Sequence, residues 1–136
     1  MEQKDFILRE IERLGLMINA LRQKLFGGKD QLSISVEQEV DDAKGMLLKE
    51  VNLDFDKLLL LNKEETYSYL DNFKGFNATN IERFAEYMAQ IGFNTESDKS
   101  KIYLEKALQL YELTNVKSET YSFEREKSIS MVRNAL

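Results

Sequence analysis

The densest carboxylate group in this chain is formed by Glu37, Glu39, Asp41 and Asp42. Paired carboxylates can act as acid and base when their surroundings push their pKa values apart. On a helix these four fall opposite an apolar stripe, which predicts a solvated face rather than a reaction centre. A second group, Asn94, Glu96, Asp98, Ser100, Ile102 and Glu105, matches the ligand positions of a calcium loop. Lys99 stands where that loop's sharp turn needs Gly, so these residues read as the acidic start of a helix. Gly27-Gly28-Lys29 lacks the spaced glycines, the following Ser or Thr and the strand-to-helix setting of a phosphate loop. It reads as an interhelical turn.

The residues that are missing narrow the chemistry further. With no His, the chain supplies no Ser-His-Asp triad, no imidazole base and no imidazole metal ligand. With no Cys, it has no thiol nucleophile, disulfide or thiolate zinc site. No catalytic, metal-binding or cofactor-binding set is legible, and neither a cofactor nor an enzymatic activity is expected.

The 136 residues, 43% hydrophobic and 32% charged, suit one soluble domain spanning 1–136. With no Pro or Trp, turns fall to Gly, Asn, Asp and Ser. Helical periodicity dominates. A first helix is expected from Lys4 to Phe26, with Ile7, Ile11, Leu14, Ile18, Leu21 and Leu25 spaced as a heptad seam. Gly27-Gly28 should stop it, making 1–29 the N-terminal helical segment. Ser35 to Gln38 reads as a capping box opening a helix to Val51. Asp54 or Asp56 caps a short helix through Leu61, whose four consecutive leucines predict a fully buried turn. Asn62 to Glu65 is another capping box, for a helix to Phe73 that ends at Gly75. Thr79 is expected to cap a helix closing at Gly92, with Ile81, Phe84, Ala85, Met88 and Ile91 facing inward. Helices from Ser97 to Leu113 and from a Ser122 cap to Ala135 follow. Gly15 and Gly45 sit inside helices at a cost of roughly 1 kcal/mol each, so Gly15 is expected against a neighbouring helix backbone.

Charge is unevenly spread: residues 1–29 carry +2, 30–65 carry −6 and 66–136 carry −1. An acidic chain is a poor polyanion binder, so no nucleic-acid partner is expected. The basic first segment and the acidic second one should pack together, within the chain or across a dimer. Acidic residues upstream of Leu14–Leu21 argue against a signal peptide. The run Leu58-Leu59-Leu60-Leu61 is far short of a membrane span. A cytoplasmic, non-membrane protein is the expectation.

The stretch from Ile81 to Tyr111 resembles one tetratricopeptide repeat, through Ile81, Phe84, Ala85, Met88 and Gly92 on its first helix and Ser100, Leu104 and Ala107 on its second. Three extra residues between the helices and the missing closing Pro depart from that pattern. The opening Asp5, Phe6, Ile7, Leu8, Arg9, Ile11, Glu12, Leu14 and Gly15 is similar to the start of a family of small bacterial all-helical proteins of unknown function. These resemblances imply an all-α, compact array of antiparallel helix pairs, tetratricopeptide-like over residues 79–136. They also imply a concave face into which Glu82, Glu86, Ala89 and Gln90 would point, suited to a short polar or basic peptide. The expected function is a non-enzymatic protein-interaction module. The alternatives are a carboxylate-based enzyme or small-ligand binder with a pocket between helices, or a capsule around an apolar ligand. The seam of the first helix packs either inside the domain or across a homodimer.

Overall fold

Capping side chains fix where the helices begin. The computed structural model describes residues 2–26 and 35–136, so the Gly27-Gly28 stop and the Gly27-Gly28-Lys29 turn lie outside the described residues. Among the described residues there are seven helices and no strand: α1 (Glu2–Phe26), α2 (Val36–Val51), α3 (Phe55–Leu60), α4 (Lys63–Leu70), α5 (Ala78–Phe93), α6 (Ser97–Lys117) and α7 (Phe123–Ala135). Ser35, Asp54, Asn62, Asn77 and Ser122 each accept a hydrogen bond from the backbone N–H three residues on, satisfying an amide that the helix start leaves unpaired.

Three local expectations need correcting. Asn77, not Thr79, caps α5, which begins earlier than expected because Asn77 Oδ1 accepts from the Asn80 N–H. Ser35 caps α2, but Gln38 does not reach back to complete a box; its amide donates to Asp42 at 3.1 Å instead. The leucine run is not buried throughout. Leu58 is fully buried, but Leu60 is 87% exposed, because a one-and-a-half-turn helix lying on the surface must turn one side to water. Asn52 ends α2 in the left-handed conformation, a role more often taken by Gly.

One apolar core draws on every helix. The inward residues of α5, namely Ile81, Phe84, Ala85, Met88 and Ile91, are all buried. α5 and α6 make the most extensive contact of any helix pair. They run antiparallel: Gly92 lies against Leu104 near the turn, while Arg125 joins Glu82 to Asn115 at the other end. The heptad seam goes largely to this same core. Leu14, Ile18 and Leu21 are buried within the chain, Ile11 and Leu25 are half-buried, and only Ile7 is exposed. The seam's centre therefore cannot face a second copy. Arg13 pairs with Glu50 of α2 at 3.0 Å, so the basic and acidic segments do meet within one chain.

Gly15 faces side chains rather than backbone. A Cβ there would come within 2.7 Å of Arg83 Nη1 and 2.9 Å of Asn80 Oδ1. Asn80 is fully buried and its amide donates to Ile11 O and Gly75 O. This one side chain ties α1 and the 71–76 turn to the start of α5.

Candidate binding cleft

The two acidic stretches that stand out in the sequence face each other. α2 presents Glu37, Asp41 and Lys44, one per turn, along one wall of a cleft of about 570 Å³. The α5–α6 turn and the first turns of α6 present Asn94, Glu96, Asp98 and Lys99 along the other. Val36, Val40, Ile91 and Tyr103 supply its apolar floor. Lys99 and Glu37 approach to 3.9 Å across the gap.

Local sequence accounts for this placement. Ser35 starts α2 so that Val36 and Val40 share one side with the buried Ala43 and Leu47. Glu37 and Glu39 lie in the first turn of α2 and Asp98 in that of α6, where the helix dipole favours negative charge. At the inner end, Lys44 pairs with Asp56 at 2.8 Å, and that hydrogen bond raises the Lys44 pKa. Burial raises the Tyr103 pKa, partly opposed by the nearby Lys44 ammonium. The Tyr103 ring leans on Phe55, centroid to centroid 6.3 Å.

The rim carries four carboxylates against two ammonium groups. Two helix N-termini return roughly half a unit of positive charge each, leaving the cleft mildly negative. Chemically it offers apolar surface for an anchor and carboxylates for a cation beside it. Among the described residues, no three His, Cys, Asp or Glu side chains converge on a metal position, and Asn94 to Glu105 form a turn and helix rather than a loop.

The α5 positions singled out by sequence lie outside this cleft, and two of them pair with α1 and α7. Glu82 meets Arg125 of α7 at 3.3 Å, and Glu86 meets Arg22 of α1 at 2.7 Å. Burial raises the Glu86 pKa while Arg22 opposes the shift. Ala89 is buried and Gln90 half-buried. The four share one stripe of α5, and Glu82 and Glu86 on it are engaged by neighbouring helices.

Lys106 carried no signal in the sequence. It reads as an ordinary surface lysine, yet it is only 2% exposed. Its ammonium donates to Leu61 O at 2.8 Å, Thr66 Oγ1 at 2.6 Å and Gln109 Oε1 at 2.8 Å. Burial pulls its pKa down to about 8. Every N–H is spent on a neutral oxygen, so the group clamps the α3–α4 junction to α6.

Set against known protein families, curated proteins and solved structures, the chain matches none. Its function therefore has to be argued from the cleft itself. No helix among the described residues is long and apolar enough to cross a membrane.

Proposed function

We propose that the protein is a non-enzymatic helical interaction module whose cleft takes a short peptide segment bearing basic residues beside an apolar anchor. The observation that carries this reading is the combination of an apolar floor, formed by Val36, Val40, Ile91 and Tyr103, with a rim of Glu37, Asp41, Glu96 and Asp98. Apolar contact supplies the affinity and the excess carboxylates select against acidic partners, since rim charges act on choice of partner and encounter rate more than on affinity. On this reading α5 and α6 form a tetratricopeptide-like pair, but the docking surface lies at its turn end and on α2. It does not lie on the Glu82–Gln90 stripe.

The small-ligand alternative has one observation on its side, a volume within the 300–1,000 Å³ common for small-molecule sites. Against it stands the cleft's open, two-walled shape.

Display of random peptides against the full chain tests the proposal. Lys- or Arg-rich sequences with Leu, Ile or Phe should be enriched, and enrichment should vanish on a chain carrying Asp41→Lys with Asp98→Lys. Both positions are exposed, so folding should survive. Enrichment of acidic peptides, no enrichment, or binding indifferent to the charge reversal would refute it.

A further inference from the structure

α1 outruns the body it packs on. Along its core-facing line, Ile18 and Leu14 are buried, Ile11 is half-buried and Ile7 is 36% exposed, so the supporting helices stop beneath its first turns. Residues 4–9 are exposed on every side of the helix. Yet this overhang carries Phe6, Ile7 and Leu8 in succession, with Phe6 and Leu8 about half exposed. A free helical end of two turns would ordinarily be polar all round.

The overhang stands beside a groove lined by both apolar and polar side chains. Phe6 lines a depression whose walls include Val51, Asn72 and Phe73. The same three residues line a second depression of about 500 Å³ that extends to the exposed Leu48. The two depressions form one continuous trough between the start of α1, the end of α2 and the 71–76 turn. Glu10 and Lys74 edge the first part, and Asp54 and Lys57 edge the second. Its rim is thus balanced in charge.

From this we infer that the overhang and trough form an isologous interface with a second copy of this chain. Two features select that occupant. In a two-fold contact a surface meets itself, so a rim dominated by one sign would repel its own copy, and this one pairs two acidic with two basic groups. Phe6 and Leu48, each about half exposed on the trough, still offer on the order of 100 Å² apiece. These two provide about a quarter of the roughly 800 Å² per partner of a stable interface. The trough walls and charged rim supply the remainder. This contact differs from a coiled-coil pairing along the α1 seam, whose central residues are buried in the chain's own core, and it does not depend on the peptide-binding reading of the cleft.

Light scattering on the eluting chain, from low concentration to about 100 µM, tests the inference. The native chain should run at twice the chain mass. Phe6→Lys combined with Leu48→Lys should halve that mass while leaving helical circular dichroism intact, because both side chains lie outside the core. Phe6→Lys alone, on the unsupported overhang, keeps the test decisive should the double change disturb folding, and it should weaken dimerisation at least tenfold. A native chain that is monomeric at the highest concentration would overturn the inference, as would folded variants that keep the native mass.

Discussion

The cleft and the trough are both open, both built where helix ends meet, and similar in size, at about 570 Å³ and about 500 Å³ for the larger part of the trough. They differ in how charge is distributed round an apolar floor. The cleft's rim has twice as many carboxylates as ammonium groups, and the trough's rim has equal numbers. A surface with excess charge repels its own copy and favours a partner of opposite sign. A balanced surface tolerates itself. One chain can therefore present a surface for a foreign basic segment and another for self-association, and the hydrophobic content of the two gives no hint of which is which.

Their foundations differ as well, which ranks the effects of substitution. The trough sits on a close contact: a Cβ at Gly75 would lie 2.8 Å from the Glu10 carbonyl and 3.1 Å from Leu14. Backbone cannot yield as a side-chain tip can, so Gly75→Ala should cost about 2–3 kcal/mol in urea unfolding. It should also weaken dimerisation, as α1 is displaced from the 71–76 turn. A neutral result would mean that the base of the trough is loosely packed.

Lys106 belongs to neither surface and makes a control for both. Lys106→Met leaves Leu61 O and Thr66 Oγ1 without that donor and Gln109 Oε1 with only the Thr66 hydroxyl, and should cost about 1–3 kcal/mol, with peptide binding and chain association unchanged. Its pH signature is distinct. Below pH 8 the lysine holds its proton folded or unfolded. Above about 8 the folded state releases it, while the unfolded state keeps it up to about 10.5. Because the unfolded state then binds more protons, stability attributable to Lys106 rises between pH 8 and 10. The buried Tyr87 and Tyr111, both with raised pKa values, act in the opposite sense only above pH 10. The difference between native chain and Lys106→Met should therefore widen from pH 8 to pH 10. A constant difference would show that the amine is not depressed.

The glycines of α1 and α2 give smaller effects of opposite sign. Gly15→Ala should destabilise by about 1 kcal/mol, because Asn80 is held by two backbone carbonyls and cannot move aside as Arg83 can. A higher melting temperature would show that the niche is merely tolerated. Gly45→Ala should stabilise by about 0.5–1 kcal/mol, since a Cβ there meets nothing within 4 Å. Any loss would place an unseen neighbour against the outer face of α2.

What could be read from the sequence was whatever depends on neighbours a few residues away. Ser35, Asn62 and Ser122 act as caps because each bonds an amide three residues on. At the start of α5 the sequence pointed to Thr79, but Asn77 caps the helix through its own bond to the Asn80 N–H, and Asn80 is further held by Ile11 of α1. The two acidic stretches were visible singly, but nothing local says that Glu37 and Lys99, sixty-two positions apart in the chain, share a cleft. Arg22 and Arg125 reach the α5 stripe only because α1 and α7 pack there. Lys106 was illegible for the same reason: its three acceptors come from two other segments and one turn of its own helix.

Chemical-shift mapping on the isotopically labelled full chain tests the account most directly, with an octapeptide alternating Lys and Leu as the probe. Amides of Val36, Glu37, Val40, Ile91 and Tyr103 should shift first and saturate together, and the Asp41→Lys, Asp98→Lys chain should lose the response. Shifts centred instead on Glu82, Glu86 and Gln90, or on Phe6 and Leu48, would contradict the assignment of the cleft as the peptide site.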